Sequence, residues 1–354
     1  MLSGGYGTRL RPLTHTGPKQ LIPIANKPNI QYCIEDLREA GIADIGIILG
    51  NVMPEKVQEF LGDGSKFGVK FTYIMQGEPK GIAHAINCAK EFMGEGPFIV
   101  YLGDNLLKNG IKEISKKMEK EKADCVISLT PVKEPQRYGI AELSPDGDKV
   151  IRTIEKPKEP KSNLAVIGVY AFNSTFFEVY PKLKPSWRNE MEVTDAITML
   201  IDSGYKVVPH RVEGWWKDTG KPEDILEANH LILDGIEGLN EGRVEEGASV
   251  IGRARIGKGT VIFGRSVVRG PSIIGENCRI GPSAYIGPYT AVGDRCVVTT
   301  SEVDDSIVME DTIIDVRRKI VRSMIGKSSK ILDSNDLVPK GDRLVVGENT
   351  TLFL

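Results

Sequence analysis

The first residues of the chain place a flexible backbone next to positive charge. Three glycines lie within four positions, at Gly4, Gly5 and Gly7. Arg9 and Lys19 follow them. Glycines let a backbone bend sharply and bring its N–H groups close to an anion. A guanidinium binds phosphate oxygens as a planar fork, whereas an ammonium neutralises them as a point charge. These residues favour a phosphate-binding loop, although taken alone they fit a plain turn equally well.

Segments that read alternately as strand and helix follow this loop. Short apolar runs at 44–50, 69–75 and 98–105 are typical of buried strands. Segments 53–64 and 81–93 have helical spacing. Strands that alternate with helices predict a mostly parallel sheet, which binds ligands at the carboxyl ends of its strands. The glycine loop and the carboxylate at the end of the segment 98–105 both fall at that edge.

Beyond residue 242 the pattern changes to a period of six. Ten aliphatic residues follow one another six positions apart: Val244, Val250, Ile256, Ile262, Val268, Ile274, Ile280, Ile286, Val292 and Val298. A six-residue repeat predicts a left-handed parallel β-helix in which each aliphatic side chain points inward. The register breaks at 304–305, where we expect a protruding loop. It resumes at Ile307 and Ile313, and again at Ile325 and Ile331.

The sequence therefore predicts an α/β protein with two domains. An α/β domain occupies residues 1–235, a glycine-rich linker occupies 236–243, and a hexapeptide-repeat β-helix occupies 244–354. The β-helix is expected to be structural, as a regulatory module or one that assembles a homo-oligomer, since it carries no histidine that could act as a base. The four histidines of the chain all precede residue 242: His15, His84, His210 and His230.

Composition narrows the classes of partner. The chain has 354 residues and a net charge of −2, so we expect no nucleic acid and no anionic membrane as a partner. It has no run of 18 apolar residues and no basic-then-apolar leader, which predicts a cytoplasmic protein without a membrane span. The five cysteines are isolated and form no CxxC, which favours buried thiols over disulfides or a zinc site.

The complete opening string is more specific than its glycines. The 25 residues "GGYGTRLRPLTHTGPKQLIPIANKP" resemble the signature GGxGTRLxPLTxxxxKxLxPxxxKP of the sugar-nucleotide pyrophosphorylases. Further segments that resemble this family follow in order: "QGEPKGIAHAI" (76–86), "LGDN" (102–105), "RYGIAEL" (137–143), "IEKPKEP" (154–160), "NLAVIGVYAF" (163–172), "MEVTDAI" (191–197) and "WWKDTG" (215–220). The resemblance implies a Rossmann-like nucleotidyltransferase domain. Only Met1, Leu2 and Ser3 precede the glycines, where the family usually has a few more apolar residues, so either the start of the chain was assigned late or the first strand is short.

The resemblance is to the branch of the family that uses dTTP and glucose 1-phosphate and has a hexapeptide tail. It implies transfer of a nucleotidyl group from dTTP to glucose 1-phosphate, which gives dTDP-glucose and pyrophosphate. The attacking phosphate oxygen is already anionic, so the reaction needs positioning and electrostatic stabilisation rather than a general base. The resemblance also implies Mg²⁺ as the cofactor, held by Asp104 and Asp218. The implied catalytic residues are Arg9, Lys19, Asp104, Lys156 and Asp218.

Two groups of binding residues follow from the same resemblance. The nucleotide would contact Gly4, Gly5, Gly7, Thr8, Arg9, Lys19, Gln20, Gln76 and Gly81. The sugar phosphate would contact Asn105, Tyr138, Gly139, Glu155, Lys156, Val166 and Trp215. Gln20 and Gln76 can each offer a donor and an acceptor to the edge of a pyrimidine. Because a pocket rejects a missing methyl group by only ~1–3 kcal/mol, UTP stays open beside dTTP.

Three other functions remain open at the level of sequence. The chain could be a sugar-1-phosphate nucleotidyltransferase that uses UTP or another nucleotide. It could be a bifunctional enzyme with acetyltransferase activity in its tail, although the absence of histidine beyond 242 opposes this. It could also be a non-catalytic subunit, which the presence of all five implied catalytic residues opposes.

Overall fold

The computed structural model describes residues 1–333. The chain divides into two compact units, Met1–Ala228 and Asn229–Leu354. The end of the predicted β-helix domain, residues 334–354, lies outside the described residues, and the predicted domain limits at 235 and 244 stay predictions. Within residues 1–333, no helix combines the length and the apolar character that a membrane crossing requires.

The first unit is an α/β structure. Its strands are β1 (Leu2–Ser3), β2 (Pro23–Ile24), β3 (Lys27–Pro28), β4 (Asp44–Leu49), β5 (Lys70–Met75), β6 (Phe98–Tyr101), β7 (Asn105–Leu107), β8 (Cys125–Pro131), β9 (Gly139–Leu143), β10 (Val150–Glu155), β11 (Leu164–Phe172), β12 (Val207–Arg211) and β13 (Trp216–Asp218). The α-helices are α1 (Asn29–Glu39), α2 (Pro54–Leu61), α3 (Ile82–Cys88), α4 (Lys90–Met93), α5 (Lys112–Glu121), α6 (Phe176–Val179), α7 (Val193–Asp202) and α8 (Pro222–Leu233); the limit between the two units falls within α8.

The half of the sheet that follows the glycine loop is parallel. Strands β1, β4 and β5 lie side by side in that order, and Leu2 forms a parallel bridge to Leu102, just after β6. Beyond β6 the strand β11 runs antiparallel to both β6 and β8, and β12 is parallel to β8. The predicted α/β fold with its parallel sheet is confirmed, and β4 is buried along Ile45–Leu49, as a strand covered on both faces must be.

Two predicted elements differ in detail. The helix predicted over 81–93 is interrupted at Ala89, which separates α3 from α4. The strand predicted over 98–105 ends at Tyr101, and the chain starts the new strand β7 at Asn105. Asp104 therefore lies in the turn between two strands rather than at the end of one. Its neighbour Gly103 bonds to the backbone of Leu2, and its neighbour Asn105 pairs with Asp218.

The described part of the second unit is a parallel β-helix. Its strands are β14 (Leu239–Asn240), β15 (Arg243–Val244), β16 (Ser249–Ile251), β17 (Ala254–Ile256), β18 (Val261–Ile262), β19 (Val267–Arg269), β20 (Ser272–Ile274), β21 (Arg279–Ile280), β22 (Tyr285–Ile286), β23 (Ala291–Val292), β24 (Val297–Thr299), β25 (Glu302–Asp304), β26 (Ile307–Val308), β27 (Ile313–Asp315), β28 (Lys319–Val321), β29 (Met324–Ile325) and β30 (Lys330–Leu332). Three sheets of stacked parallel strands form its sides. Ile256 pairs with Ile274, one coil further along, and Ile262 pairs with Ile280. The aliphatic residues of the predicted repeat are buried from Ile256 to Val298, which confirms their inward direction.

The loop expected at 304–305 is wrong. After Val298 the next inward residues are Val303 and Val308, so two successive sides are five residues long instead of six. The coil continues because its corners absorb the missing residue, and no loop protrudes. Consequently Val308 and Ile314 point inward, not the predicted Ile307 and Ile313. The predicted Ile325 and Ile331 do stack on the inward column.

Small polar side chains at the corners of the β-helix bond to the next coil. The Thr260 hydroxyl donates to the carbonyl oxygen of Gly275 at 2.6 Å. One coil later the Cys278 thiol lies 3.0 Å from the carbonyl oxygen of Gly293. Cys296 occupies the same position in the following coil and is also buried. These two cysteines therefore replace Thr260 in a column of structural hydrogen bonds.

The second unit also contains a histidine that the sequence places before the linker. His230 pairs through Nε2 with Asp305, and its ring stacks on Tyr289 with centroids 4.2 Å apart. The Asn229 amide donates to the carbonyl oxygen of Tyr289 at 2.8 Å. The last turn of α8 is thus fastened to the coil by polar and aromatic contacts within the second unit.

Candidate active site

The glycine loop folds around Lys19. Gly5 and Gly7 have φ values of 102° and 59°, a region in which residues with a side chain are strained. A Cβ on Gly7 would lie 3.0 Å from the Thr14 side chain, and a Cβ on Gly5 would lie 3.7 Å from Cε of Lys19. The loop ends in a short 3₁₀ turn, Thr8–Leu10, in which Thr8 is exposed. Glycines suit these positions because both φ values are positive and because a side chain at position 7 would press against Thr14.

A cavity of about 370 Å³, which we call the loop cavity, lies beside this loop. Its lining includes Gly4, Gly5, Tyr6, Lys19, Gln20, Gln76, Pro79, Gly81, Ile82, Asp104 and Glu190. A larger cavity of about 600 Å³ lies at the other ends of β4 and β6, among apolar side chains such as Ile45 and Phe98. Since seven of the predicted nucleotide and metal residues line the smaller cavity, we place the nucleotide end of the candidate site there.

Both glutamines of the predicted nucleotide site face the loop cavity. Gln20 is 1% exposed; its Nε2 donates to the carbonyl oxygen of Gly4 at 3.0 Å, and its Oε1 has no partner among residues 1–333. Gln76 Nε2 lies 3.4 Å from the Gly81 carbonyl oxygen and 3.3 Å from Nδ1 of His84. Burial and the nearby Lys80 lower the pKa of His84, so its ring is neutral near pH 7 and can accept that bond.

The two predicted metal ligands are joined by a short strand pair. Asp104 directly precedes β7, and Asp218 ends β13, where it pairs with Asn105. Asp104 also forms an ion pair with Lys19. Burial alone would raise the pKa of Asp104, but the Lys19 ammonium and the Asn105 amide hold it below its usual value.

The ionised carboxylate of Asp218 lies in an unfavourable electrostatic environment. Burial and the charge of Asp104 raise its pKa to about 6, with Lys19 and Arg9 acting in the opposite direction. Its side chain has no hydrogen bond among the described residues. Arg9 lies alongside, because a Cβ built on Gly220 would be 2.9 Å from Nη2 of Arg9 and 3.3 Å from Oδ1 of Asp218.

These two carboxylates fit a divalent cation. They are hard oxygen ligands that repel each other, and a bound Mg²⁺ would relieve that repulsion. Within residues 1–333, no three acidic, histidine or cysteine side chains form a group that could hold a metal. Mg²⁺ usually takes one or two carboxylates and completes its coordination with water and substrate phosphates. The donor set present is therefore that of a metal bound together with a nucleotide.

A second cluster contains most of the predicted sugar-phosphate residues. A Cβ on Gly139 would lie 3.0 Å from Oε2 of Glu155 and 3.9 Å from Cβ of Val166. Lys156 follows with a φ of 43°, and its Nζ lies 3.7 Å from Oε1 of Glu155. Its backbone N–H donates to the carbonyl oxygen of Tyr138 at 3.1 Å. A Cβ there would also lie 2.6 Å from Cγ2 of Thr194, so the missing side chain at position 139 lets Glu155 and Thr194 pack closely against the strand.

Asn105 and Trp216 connect the two clusters. The Oδ1 of Asn105 accepts from the indole N–H of Trp216 at 2.7 Å and from the backbone N–H of Gly168 at 3.1 Å. Its Nδ2 donates to Asp104 at 2.9 Å. The Trp216 ring packs edge-on against Tyr138, with centroids 5.7 Å apart. Hydrogen bonds and a ring contact thus connect Asp104 to Tyr138, whose carbonyl oxygen accepts from Lys156.

Two residues of this site were missed by the sequence analysis. Trp216, rather than the predicted Trp215, contacts Asn105 and Tyr138, whereas Trp215 contributes a carbonyl oxygen to the backbone of Lys108. Side chains two residues apart in a strand share a face, so the position of Asp218 was a usable signal for Trp216. The role of Trp215 stays a prediction.

Arg188 is the second missed residue. Its guanidinium lies 3.3 Å from Glu155, 3.3 Å from Glu192 and 2.9 Å from Glu190. Glu190 lines the loop cavity, so Arg188 bridges the wall of that cavity and the sugar-side carboxylate. No local pattern marks it, because its partner Glu155 is 33 positions away.

Comparison with known proteins gives the family. The nucleotidyl transferase family matches residues 1–235, and the GMPPB C-terminal domain matches residues 268–352. The low-salt glycan biosynthesis nucleotidyltransferase Agl11 of Haloferax volcanii is 48% identical over 354 residues, which covers 100% of this chain and 99% of that protein. A glucose-1-phosphate thymidylyltransferase of Streptomyces griseus is 42% identical over 350 residues, 99% of this chain and 97% of that protein.

A solved structure of a relative supports the same conclusion. UDP-glucose pyrophosphorylase complexed with UDP-glucose has a TM-score of 0.59 and 28% identity, covering 66% of this chain and 97% of that one. The family match, the full-length relatives and the shared fold agree. The chain belongs to the nucleotidyl transferase family and is a nucleotidyltransferase with glucose-1-phosphate thymidylyltransferases among its relatives.

Proposed function

We propose that this nucleotidyltransferase acts on a sugar 1-phosphate, and that its reaction is dTTP plus glucose 1-phosphate giving dTDP-glucose and pyrophosphate. One observation carries the proposal. Arg9, Lys19 and the two aspartates lie together. Asn105 and Trp216 connect them through Tyr138 to the cluster around Glu155 and Lys156. An enzyme that joins two phosphorylated substrates needs two such adjoining subsites.

The positive groups reduce the repulsion between the substrates. Both substrates are polyanions, so the barrier includes the work of bringing like charges together. Arg9 lies beside Asp218, where it can bind phosphate oxygens of the nucleotide. Lys19, under the glycine loop, adds a second charge together with the loop amides. Lys156, at the sugar side, would bind the phosphate of the attacking substrate.

The remaining residues orient the two substrates. Asp104 and Asp218 would hold Mg²⁺, which neutralises phosphate charge when it is bound. Glu155 would accept hydrogen bonds from sugar hydroxyls and is kept in place by Arg188. The unpaired Oε1 of Gln20 would accept a hydrogen bond from the pyrimidine edge. The full-length relative named as a glucose-1-phosphate thymidylyltransferase supports this choice of substrates.

A matrix of pyrophosphate-release assays tests the proposal. dTTP, UTP, CTP and GTP are each combined with the 1-phosphates of glucose, galactose, mannose and glucosamine. We expect the highest kcat/KM for dTTP with glucose 1-phosphate, and a value for UTP lower by about 10- to 200-fold, because only a methyl group separates the two bases. The highest activity with GTP and mannose 1-phosphate would refute the proposed substrates but not the reaction type.

We propose a structural role for the β-helix rather than acetyl transfer. His230, which the structure places in the second unit, is already engaged by Asp305 and by the Tyr289 ring. An assay with acetyl-CoA and glucosamine 1-phosphate should therefore give no product.

Light scattering on the intact chain tests the accompanying expectation of a homo-oligomer, which a monomer at micromolar concentration would contradict.

A further inference from the structure

Thr219 ties together the two backbone segments that carry the aspartates. Its backbone N–H and its hydroxyl both donate to the carbonyl oxygen of Asp104, at 3.0 and 2.9 Å. Thr219 directly follows Asp218, so these two bonds fasten the chain beside one carboxylate to the chain of the other. The strands β7 and β13 pair over only three residues. The Thr219 bonds therefore add to the pairing of Asp218 with Asn105 in holding the two aspartates together.

Asn29 determines the direction of the Thr219 hydroxyl. Its Nδ2 lies 2.6 Å from Oγ1 of Thr219, and both residues are only 2% exposed. A hydroxyl has one proton, and the carbonyl oxygen of Asp104 can only accept it, so Asn29 must be the donor in the other bond. This arrangement leaves Oδ1 of Asn29 buried without a partner among residues 1–333. A buried orphan acceptor is unfavourable for stability, which points to another reason for an asparagine at this position.

Helix α1 holds Asn29 rigidly. The backbone N–H of Asn29, the first residue of α1, donates to the carbonyl oxygen of Ile22 at 3.1 Å. One turn later Cys33 points its thiol at the carbonyl oxygen of Asn105, 3.3 Å away. Residues four apart lie on the same face of a helix, so one face of α1 contacts both Thr219 and the start of β7.

We propose that Thr219 is a positioning residue that fixes the separation of Asp104 and Asp218, and that Asn29 acts through it by orienting its hydroxyl. The inference rests on the proposed function, since the separation matters only if both carboxylates act on the same metal-bound nucleotide. The two carboxylates repel each other. The two hydrogen bonds from Thr219 to the carbonyl oxygen of Asp104, which we call the clamp, keep them close in spite of that repulsion. Without the hydroxyl, one of the two bonds that oppose their separation is lost.

Three variants test the clamp. Thr219→Val removes the hydroxyl and keeps the shape of the side chain, Thr219→Ser keeps the hydroxyl, and Asn29→Leu removes the amide at similar volume. We expect kcat to fall about 10- to 100-fold in Thr219→Val and in Asn29→Leu, the range seen when a group behind a metal ligand is removed. Thr219→Ser should stay close to the unmodified chain. KM for glucose 1-phosphate should change little in all three, since none of them contacts the cluster around Gly139 and Glu155.

Two measurements do not depend on turnover. Titration with Mn²⁺ alone, followed by electron paramagnetic resonance, should show binding weakened about 10-fold or more in Thr219→Val and preserved in Thr219→Ser. Hydrogen exchange of the amides at 103–107 should become faster in Thr219→Val and in Asn29→Leu but not in Thr219→Ser. Asn29→Leu changes neither Thr219 nor the carbonyl oxygen of Asp104, so the two clamp bonds can still form. This variant therefore provides the test if Thr219→Val does not fold.

The results separate the clamp from the proposed reaction. Wild-type kcat, Mn²⁺ affinity and exchange in both Thr219→Val and Asn29→Leu would overturn the inference. If the losses of kcat multiply when Thr219→Val and Asn29→Leu are combined, Asn29 does not act through Thr219. A kcat of the double variant equal to that of either single variant supports the proposal that Asn29 acts by orienting the Thr219 hydroxyl. If the unmodified chain releases no pyrophosphate from any substrate pair, the proposed function fails, and the Mn²⁺ and exchange data still decide whether the clamp exists.

Discussion

Buried polar groups are used in opposite ways in the two units. At the corners of the β-helix, Thr260 and Cys278 each bond to a carbonyl oxygen of the next coil. In the candidate site, Gln20 and Asn29 each keep a buried oxygen without a partner among residues 1–333, and Asp218 is held near a second carboxylate. These corner side chains satisfy the backbone of the coil, although Oγ of Ser272 in the same unit is buried without a partner among residues 1–333. The site leaves hydrogen-bonding capacity and charge unsatisfied, as expected where a ligand is to supply the missing partner.

We therefore expect substitutions in the two units to affect different properties, stability in one and activity in the other. Substitutions inside the coil should change the free energy of unfolding and leave the chemistry alone. Substitutions in the site should change the chemistry and either leave stability unchanged or increase it. Four experiments test whether stability and activity separate in this way.

Arg9→Ala should lower kcat by ~10²–10³, because a charge-stabilising donor beside the transferring phosphate is lost. Arg9 is exposed and its head lies beside Asp218, so the melting temperature should not change. The measurement is steady-state pyrophosphate release together with thermal unfolding. Arg11→Ala, an exposed arginine two residues further along the loop, is the control and should retain its activity. Equal losses in both variants would mean that Arg9 contributes only to the general potential.

Ile280→Ala should destabilise the β-helix by about 2–5 kcal/mol, since it removes a fully buried inward side chain. Urea unfolding monitored in the second unit would give this value, while kcat at 25 °C should stay unchanged. Arg279→Ala on the outer side of the same strand is the control; its stacking on the Phe263 ring is worth only about 0.5–1 kcal/mol. A large loss of kcat at a temperature where Ile280→Ala is folded would show that the coil takes part in catalysis.

Asp218→Asn should stabilise the metal-free protein at pH 7 by up to about 3 kcal/mol while abolishing activity. The folded-state pKa of Asp218 is raised to about 6 from 3.8, so its favourable contribution is complete below pH 3.8 and is lost as the pH rises through 6. Unfolding in EDTA from pH 4 to pH 8 should therefore show the advantage of the variant growing with pH. Asp148→Asn, an exposed carboxylate in the turn between β9 and β10, should show no such trend. A pH-independent difference would refute the electrostatic explanation.

Cys278→Ser should change stability by only about 1 kcal/mol, because a hydroxyl can make the same bond to the Gly293 carbonyl oxygen. Cys278→Val should destabilise more, by about 1–3 kcal/mol, since that carbonyl oxygen loses its partner. Urea midpoints of the two variants give the comparison. If valine is tolerated as well as serine, packing rather than hydrogen bonding determines this corner.

The amount that could be predicted from sequence also differs between the two units. The six-residue period predicted the inward residues of the coil up to Val298, because each side of a β-helix is set by local spacing alone. It failed at Val303, where a side one residue shorter leaves no mark in a fixed period. In the first unit the opening string predicted the family and the residues around the loop cavity. It could not show that Asp104 lies in a turn between two strands.

Contacts between distant segments were beyond the sequence. Arg188 reaches Glu155 and Asn29 reaches Thr219 across 33 and 190 positions, and no local spacing reports such a pair. The omission of Trp216 from the predicted residues is a different kind of miss, and the role of Trp215 stays a prediction. The short strand β13 alternates its side chains, so the position of Asp218 already indicated which tryptophan shares its side.

The shortened sides at Val303 and Val308 have a practical consequence for engineering and for comparing related chains. An alignment that assumes a fixed period of six residues loses the register at these two sides. An alignment by successive sides of the coil keeps it, because each strand stacks on the strand of the preceding coil whatever the length of the bend between them. Deleting one residue from a bend elsewhere in the coil should therefore be absorbed locally, and insertions at bends offer sites for grafting peptides without changing how the layers meet.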